Sequence, residues 1–305
     1  MLLAGCSHAL RALPAPGAPP ARLALAAPQP GATHRVLGVD LWVHDSDPAA
    51  RRPVLLCLHA IGHGGGDFAG LSAALHDWRV IAVDWPGHGR SGADTEKASA
   101  LRYTQLLEAL TAELGLEGQR VVILGNSIGG ATAVRYAAAH PERVRGLVLA
   151  NPGGLDPGAS GLLGRLFIGN LVSHFEQGAR DEARFEPWYR DWCASILVTP
   201  PALPRRERIV AAGYVHAGLL AEAWDSFRQP EASLASLIER VKMPVLFTWA
   251  DRDALVSWSR NEAAIRRFPR AEVVHFEAGH AAFLEDPEGF MRALLPFLAA
   301  VSSGG

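Results

Sequence analysis

The sequence predicts an α/β fold in which a mostly parallel sheet, of the eight-stranded type, is covered by helices on both faces. Short apolar runs that are typical of buried strands alternate with longer segments of helical spacing. One such run, Val121 to Leu124, leads directly into a glycine-rich turn and a helical segment over 128–140. Strands and helices that alternate in this way imply parallel strands joined by helical crossovers.

The other elements follow along the chain. An alternating pattern around Gly38 predicts a small hairpin over 36–44. Further strands are expected at 53–58, 79–83, 144–149, 245–249 and 271–276. Helical spacing predicts helices at 68–75, 98–114, 258–267 and 287–300. We expect Asp67 to cap the first of these helices and Leu101 to lie on the buried face of the second.

The order of the predicted strands and helices also predicts how the chain is divided into a leader, a core and a cap. Residues 1–33 are rich in Pro, Ala and Gly and are expected to form a flexible leader. Residues 34–150 and 241–305 carry the strands and form the predicted core. Residues 151–240 hold helical stretches, prolines and aromatic residues but no clear strand, which predicts a helical cap inserted into the core.

Composition excludes several classes of function. The formal net charge of the 305 residues is −2, without a long Lys/Arg block, so nothing indicates a nucleic-acid partner. No apolar run is long enough for a membrane span. The three cysteines are too scattered for a disulfide framework, and Cys57 is expected to be a buried free thiol. No Cys/His spacing predicts a metal site, and no cofactor is implied.

The amino terminus allows two interpretations. Leu3-Ala4-Gly5-Cys6 is similar to the lipobox of bacterial lipoproteins, but the residues before it lack a charged region and an apolar region. As written, the chain is therefore expected in the cytoplasm. A lipid anchor at Cys6 requires a start further upstream.

The turn after the central strand carries the first functional candidate. Gly125-Asn126-Ser127-Ile128-Gly129 fits the pattern G-x-S-x-G between a strand and a helix. Such a turn pushes the serine hydroxyl out above the sheet. It also puts the N–H of the next residue, Ile128, at a helix N-terminus, where it points at incoming negative charge.

Two more polar residues follow later strands, at the sheet edge where ligands of such sheets bind. Asp253 comes shortly after the strand at 245–249, and His280 after the strand at 271–276. An imidazole takes the proton of a serine during attack, and a carboxylate fixes the imidazole's tautomer. Ser127, His280 and Asp253 are therefore the predicted catalytic residues, with Asp251 and Asp156 as competing acids.

The glycine-rich loop 59–66 follows another strand end and is expected to complete the site. A tetrahedral intermediate needs two N–H donors for its oxyanion, and the N–H groups of Ile61 and Ile128 are the candidates. His59 is expected to brace this loop and is also a possible pocket residue. His88 is expected at the surface or on the pocket rim. Further candidates for the pocket lining are the cap residues Trp188, Trp192 and Trp224.

From about residue 34 onward the chain resembles a capped α/β-hydrolase of the esterase, epoxide-hydrolase and dehalogenase kind. The resemblance rests on the motifs His59-Ala60-Ile61-Gly62, Asp84 to Ser91, Gly125 to Gly130, Asp251-Arg252-Asp253 and Gly279-His280. Epoxide hydrolases and dehalogenases have an aspartate at the elbow, so Ser127 argues against both. Ala60 departs from the family, which usually has glycine after the loop histidine.

The expected function is hydrolysis of carboxylic esters of small to medium apolar substrates through an acyl-enzyme. Because the form Gly-Asn-Ser-x-Gly-Gly also resembles hydrolases that cleave carbon–carbon bonds in ring-cleavage products, that reaction is the main alternative. A third hypothesis is a ligand receptor that keeps the hydrolase fold without turnover. The expected partner is a small-molecule substrate in each case.

Overall fold

An eight-stranded sheet lies at the centre of the protein, which a computed structural model describes for residues 30–159 and 161–303. Its strands are β1 (Gly31–Val36), β2 (Val39–Asp45), β3 (Val54–Leu58), β4 (Arg79–Val83), β5 (Val121–Asn126), β6 (Val144–Ala150), β7 (Val245–Ala250) and β8 (Ala271–Phe276). Their order is β1-β2-β4-β3-β5-β6-β7-β8, with β2 antiparallel to both neighbours and the remaining pairs parallel. The predicted α/β-hydrolase fold is confirmed.

The first strand begins earlier than expected. Residues 31–33, which were expected to belong to the leader, are part of β1 and pair with β2. They cover backbone groups on the edge of β2 that would otherwise have no strand partner. The remainder of the predicted leader, including Cys6, lies outside the described residues.

Parallel register brings the carboxyl ends of the central strands to one edge of the sheet. Leu58 at the end of β3 pairs with Gly125, Asn126 at the end of β5 pairs with Ala150, and Ala250 pairs with Phe276. The residues that come next in the chain therefore share this edge, which is where ligands of open α/β sheets bind.

Helices cover both faces of the sheet as predicted. They are α1 (Ala69–Ala74), α2 (Ala100–Glu113), α3 (Ile128–Ala139), α7 (Trp258–Ile265), α8 (Ala282–Glu285) and α9 (Pro287–Ser303). The expectation for Leu101 was wrong, because this side chain is 47% exposed, whereas Leu106, Leu107 and Leu110 form the buried face of α2. Leu101 lies in the first turn of the helix, where the side chain faces outward from the sheet.

Three longer helices lie between β6 and β7 and are called the cap helices below. They are α4 (Leu162–Gly178), α5 (Glu182–Ile196) and α6 (Leu203–Ser226). An aromatic cluster centred on Phe175 joins α4 to α5, because its ring centroid lies 5.3–6.0 Å from those of Trp188, Tyr189 and Trp192. Trp192 in turn contacts Trp224 of α6, with ring centroids 6.3 Å apart. That these helices act as a separate cap domain stays a prediction. Within the described ranges, no helix combines the length and apolarity that crossing a bilayer requires.

The helix α3 packs so closely on the sheet that two positions allow only glycine. A Cβ at Gly129 would overlap the carbonyl group of Leu58 at the end of β3, and one at Gly125 would overlap the backbone of Gly129. Both overlaps are with backbone atoms, which have no rotamer through which to yield. Gly218 in α6 is the contrasting case, because nothing lies within 4 Å of a Cβ placed there.

We therefore expect Gly129→Ala to lower the free energy of unfolding by roughly 2–3 kcal/mol or to prevent folding. The matched control Gly218→Ala is expected to be neutral or to stabilise by about 0.5–1 kcal/mol, since alanine favours a helix. Urea denaturation measures both values. Equal free energies of unfolding for the two variants would contradict the close packing of α3.

Candidate active site

The turn between β5 and α3 holds Ser127 in a conformation that side chains rarely adopt. Its backbone has φ 55° and ψ −117°, and its N–H donates to the carbonyl of Ala150 at 3.1 Å. Such strain persists only where surrounding packing enforces it, here the contacts of Gly125 and Gly129. Ile128 begins α3, so its N–H belongs to the first turn, where the amides have no partner within the helix.

His280 and Asp253 meet at the same edge of the sheet. The Nδ1 atom of His280 lies 2.7 Å from Oδ2 of Asp253, and both side chains are buried. The side chain of Asn126, the residue before Ser127, donates to the carbonyl of His280 at 2.9 Å. The His280 loop is therefore fastened to the turn that carries the serine.

Both oxygens of the Asp253 carboxylate accept hydrogen bonds. Its Oδ1 accepts from the N–H groups of Leu255 at 2.8 Å and Val256 at 3.2 Å, while Oδ2 also accepts from Nδ2 of Asn151 at 2.8 Å. Because these bonds hold the carboxylate plane from both oxygens, the direction of the bond to His280 is fixed as well.

Asn151 is a site residue that the sequence analysis missed. It follows β6 with φ 40°, and its amide bridges Asp253 and both backbone groups of Ala250 at the end of β7. Its place directly after a strand and its tolerance of positive φ were the available signals. Asn151 thus ties the carboxylate to two neighbouring strands.

The surroundings of His280 favour its charged form. Burial of the ring lowers the pKa, but the Asp253 carboxylate, with a smaller contribution from Glu285, raises it by more, so the pKa of His280 lies above the ordinary 6.5. With Nδ1 bonded to the carboxylate, a neutral ring leaves Nε2 as its free basic nitrogen.

The glycine-rich loop after β3 is held by two neutral histidines. Nε2 of His59 accepts from the N–H of Trp85 at 2.9 Å, and Nε2 of His88 accepts from the N–H of Gly62 at 3.1 Å. An accepting nitrogen carries no hydrogen, so both rings have their proton on Nδ1, where His59 donates to Ala60 at 2.7 Å and His88 to Pro86 at 3.1 Å.

Burial reinforces this neutral state of the two rings. It lowers the pKa of His59 to about 4 and that of His88 well below its usual range. The expectation that His88 lies at the surface or on the pocket rim was wrong. Its ring is buried because it bonds the loop on one side and stacks on His216 of α6, with ring centroids 5.9 Å apart, on the other.

Asp67 connects the same loop to the cap helices. The expected helix cap is not formed, because the Asp67 side chain is buried between His63 at 2.5 Å and the guanidinium of Arg205 on α6. Burial opposes ionisation, but Arg205 and His63 outweigh it and lower the pKa of Asp67 to about 2. Arg205, another residue that sequence reasoning missed, thus places a charge from α6 against the loop of Ile61.

A second buried carboxylate connects the His280 loop to the cap helices. Oε2 of Glu285 accepts from the N–H groups of Val198 at 2.7 Å and Thr199 at 3.2 Å, just after α5. The N–H of His280 itself donates to the carbonyl of Ile196 at 2.6 Å. The position of His280 therefore depends on the cap helices as well as on the sheet.

The competing acids lie elsewhere. Oδ1 of Asp251 lies 2.8 Å from the ring of the exposed His275, away from His280. Asp156 accepts from the N–H of Gly158 at 2.7 Å and lies 3.9 Å from Arg260. Of the three predicted acids, Asp253 is the one that the structure brings to His280.

A cavity beside Ser127 opens between β6, α7 and the cap helices α4 and α6. Its lining is mostly apolar and comprises Ser127, Gly153, Gly154, Asp156, Ala159, Gly164, Phe167, Ile168, Trp224, Phe227, Leu255, Val256, Arg260 and Asn261. Trp224 is the predicted pocket residue among them. The other three predicted pocket residues do not line this cavity: His59 bonds the N–H of Trp85, and Trp188 and Trp192 pack against Phe175.

Among the described residues, no group of three His, Cys, Asp or Glu side chains is arranged to hold a metal ion.

Comparison with known proteins agrees with this arrangement. Residues 53–287 match the family model described as the alpha/beta hydrolase fold. The chain belongs to the α/β-hydrolase family. Proteins similar to this chain include a hydrolase and an esterase, and the protein is a hydrolytic enzyme.

Three similar proteins illustrate the comparison. The 2-hydroxy-6-oxononadienedioate/2-hydroxy-6-oxononatrienedioate hydrolase of Paraburkholderia phymatum is 28% identical over 269 residues, covering 86% of this chain and 92% of the relative. The pimeloyl-[acyl-carrier protein] methyl ester esterase of Neisseria meningitidis is 29% identical over 236 residues, covering 73% and 69%. The crystal structure of a membrane phospholipase A, a bacterial virulence factor, has a TM-score of 0.76 at 23% identity, covers 91% of this chain and 88% of that one, and shows the fold alone.

The coupling between His280 and Asp253 in this hydrolase can be tested without knowing the substrate. In Asp253→Asn we expect the pKa of His280 to fall below its ordinary value, because burial then acts with little opposition. The matched control is Asp251→Asn, which removes a carboxylate from His275 and is expected to leave the titration of His280 unchanged. NMR titration of the ring protons measures both. An unchanged pKa in Asp253→Asn would refute the coupling.

Proposed function

We propose that the protein is a serine hydrolase that cleaves carboxylic esters of small to medium, largely apolar substrates through an acyl-enzyme. The observation that carries the proposal is the buried 2.7 Å contact of His280 and Asp253, fastened through Asn126 to the strained turn of Ser127. A buried acid–imidazole pair beside a serine at such a turn is the arrangement that activates a hydroxyl as a nucleophile.

In the proposed mechanism Ser127 Oγ attacks the acyl carbon while Nε2 of His280 takes its proton. Asp253 stabilises the imidazolium that forms, and its own orientation is held by Asn151, Leu255 and Val256. The imidazolium then protonates the leaving alcohol. In the second half of the reaction His280 takes a proton from water, and the resulting hydroxide attacks the acyl carbon. The acid leaves as the bond to Oγ of Ser127 breaks, and the imidazolium returns its proton to Oγ.

The oxyanion is assigned to the N–H groups of Ile61 and Ile128. Within the described residues, the N–H of Ile61 has no hydrogen-bond acceptor, while its neighbours in the loop are held by His59, His88 and the pair Asp67–Arg205. Two amides that are rigid and unpaired before substrate arrives stabilise developing charge without reorganisation. Because both donors are backbone groups, the loop contacts are the accessible way to perturb them.

The cavity lining supports an ester substrate over the main alternative. The relative from Paraburkholderia phymatum acts, by its name, on a dioate, which carries two carboxylates. In the described part of the chain, Arg260 is the cation of the cavity lining, and Asp156 lies only 3.9 Å from it. Aromatic and aliphatic side chains form much of the remaining wall, which suits an uncharged acyl or alcohol group. Cleavage of a carbon–carbon bond stays the second candidate, since the Gly-Asn-Ser form and this relative both favour it.

Substitution of the nucleophile tests the proposal. Ser127→Ala is expected to lower kcat on nitrophenyl esters by roughly 10⁴-fold or more, since the nucleophile of a triad cannot be replaced by its partners. The exposed Ser195, which bonds only within α5, is the control, and Ser195→Ala is expected to leave kcat unchanged. A series of acyl chain lengths on the wild type then defines the preferred ester.

Three results would argue against the proposed substrate or mechanism. Turnover of a vinylogous diketone with weak ester activity would select the carbon–carbon alternative. Ligand binding without turnover that is insensitive to Ser127→Ala would select a receptor. Equal ester turnover in the wild type and Ser127→Ala would exclude Ser127 as the nucleophile.

The raised pKa of His280 predicts the pH dependence of the reaction. A general base must be neutral, so kcat/KM on an ester is expected to be constant at high pH and to fall about tenfold per pH unit below the pKa. Because that pKa is raised, the fall begins above pH 6.5. A profile measured under non-saturating ester tests this. A midpoint clearly below pH 6.5 would contradict the role of His280.

A further inference from the structure

The first two turns of α4 expose a group of large apolar side chains. Leu162, Leu163, Leu166 and Phe167 are between 54% and 83% exposed. At about 100° per residue, these positions lie within an arc of roughly 140° on one side of the helix. We call these residues the α4 patch. Single exposed apolar residues are ordinary, but four neighbouring ones on one helix indicate a contact surface.

Packing of the protein itself does not require the α4 patch. The side of α4 that faces the other cap helices is formed by Ile168, Leu171, Val172 and Phe175, which are buried. Those residues occupy a different arc of the helix from the patch. The helix therefore carries two apolar faces, of which one builds the cap and the other meets solvent.

The patch is continuous with the candidate active site. Phe167 belongs to the patch and also lines the cavity that contains Ser127, together with Gly164 from the same turn. Whatever covers the patch therefore lies next to the cavity. An apolar ligand that leaves this surface has a continuous apolar path along Phe167 into the cavity.

Three arginines lie near the patch. Arg165 is exposed in the same two turns, Arg260 is 67% exposed beside the cavity, and Arg228 approaches α4 at Gly169. Arg260 and Arg228 have carboxylate partners, Asp156 at 3.9 Å and Asp225 at 2.9 Å, whereas Arg165 forms no ion pair with any described residue. Guanidinium groups match phosphate geometry. A second copy of the chain docked through the same face would bring these arginines together, which argues against a dimer there.

We propose that the α4 patch docks on a phospholipid surface, with the leucines among the acyl chains and the arginines at the phosphates. A helix with an exposed apolar face flanked by arginines is suited to lie in such an interface. The second part of the inference rests on the proposed function: ester substrates held in that surface enter the cavity along Phe167.

Vesicle co-sedimentation of the full chain tests the docking. The double variant Leu163→Ser/Leu166→Ser is expected to bind vesicles of phosphatidylcholine and phosphatidylglycerol at least about tenfold more weakly, because two apolar side chains are withdrawn from the membrane. Neither leucine lines the cavity, so hydrolysis of a soluble short-chain ester is expected to be unchanged, which also reports that the variant is folded. Leu101→Ser on α2 is the matched control and is expected to bind as the wild type does, since Leu101 is exposed far from α4 in sequence and outside the cavity lining.

Two further measurements test the contribution of positive charge and the delivery of substrate from the vesicle. Arg165→Gln is expected to weaken binding to vesicles that contain phosphatidylglycerol by about fivefold and to have little effect with phosphatidylcholine alone. Hydrolysis of a long-chain ester embedded in the vesicles is expected to fall with binding in the double variant. Unchanged hydrolysis of the embedded ester would overturn the delivery route.

Other outcomes separate the proposals. Equal vesicle binding by the wild type and the double variant would overturn the docking. A wild type that is dimeric in solution, with a monomeric double variant, would overturn it too, because the patch would then be an interface between copies. Loss of vesicle binding in the double variant, with no ester turnover by any form of the protein, would support the docking and contradict the proposed ester function.

Discussion

The close approach of α3 to the ends of β3 and β5 is the constraint on which the site depends. Gly129 meets the Leu58 carbonyl and Gly125 meets the backbone of Gly129, so the chain turns within one residue from strand to helix. That residue is Ser127, which takes a positive φ as a result. The same contact puts the first turn of α3 beside Leu58 and His59, where the loop of Ile61 begins, so that the geometry of one turn sets both the serine and the amide of Ile128.

Electrostatics distinguish His280 from two other buried histidines, His59 and His88. His59 and His88 are neutral, because burial lowers their pKa values and each ring accepts a backbone N–H. Burial also opposes protonation of His280, but the Asp253 carboxylate reverses the direction. Two of these three imidazoles therefore hold the loop through hydrogen bonds in their neutral form, and the third, His280, is the one to which the proposed mechanism assigns proton exchange.

The fold was predictable because its signals are local, whereas much of the site was not. Apolar runs and turn residues predicted the strands, and the strand ends indicated where Ser127, Asp253 and His280 would lie. The partners of those residues depend on contacts across the chain: Asn151 joins β6 to Asp253, Glu285 joins the His280 loop to residues after α5, and Arg205 of α6 joins Asp67. Asp67 and His88 were misassigned for the same reason, since both resemble ordinary turn residues until the cap helices cover them.

We propose that Ser127, His280 and the amides of Ile61 and Ile128 form one catalytic arrangement. The most direct measurement is a crystal structure of the protein after reaction with an alkyl phosphonate ester that mimics the tetrahedral intermediate. We expect phosphorus bonded to Oγ of Ser127, with the phosphoryl oxygen within hydrogen-bond distance of both amides and the His280 ring beside Oγ. Phosphorus on another residue, or a phosphoryl oxygen turned away from both amides, would contradict it.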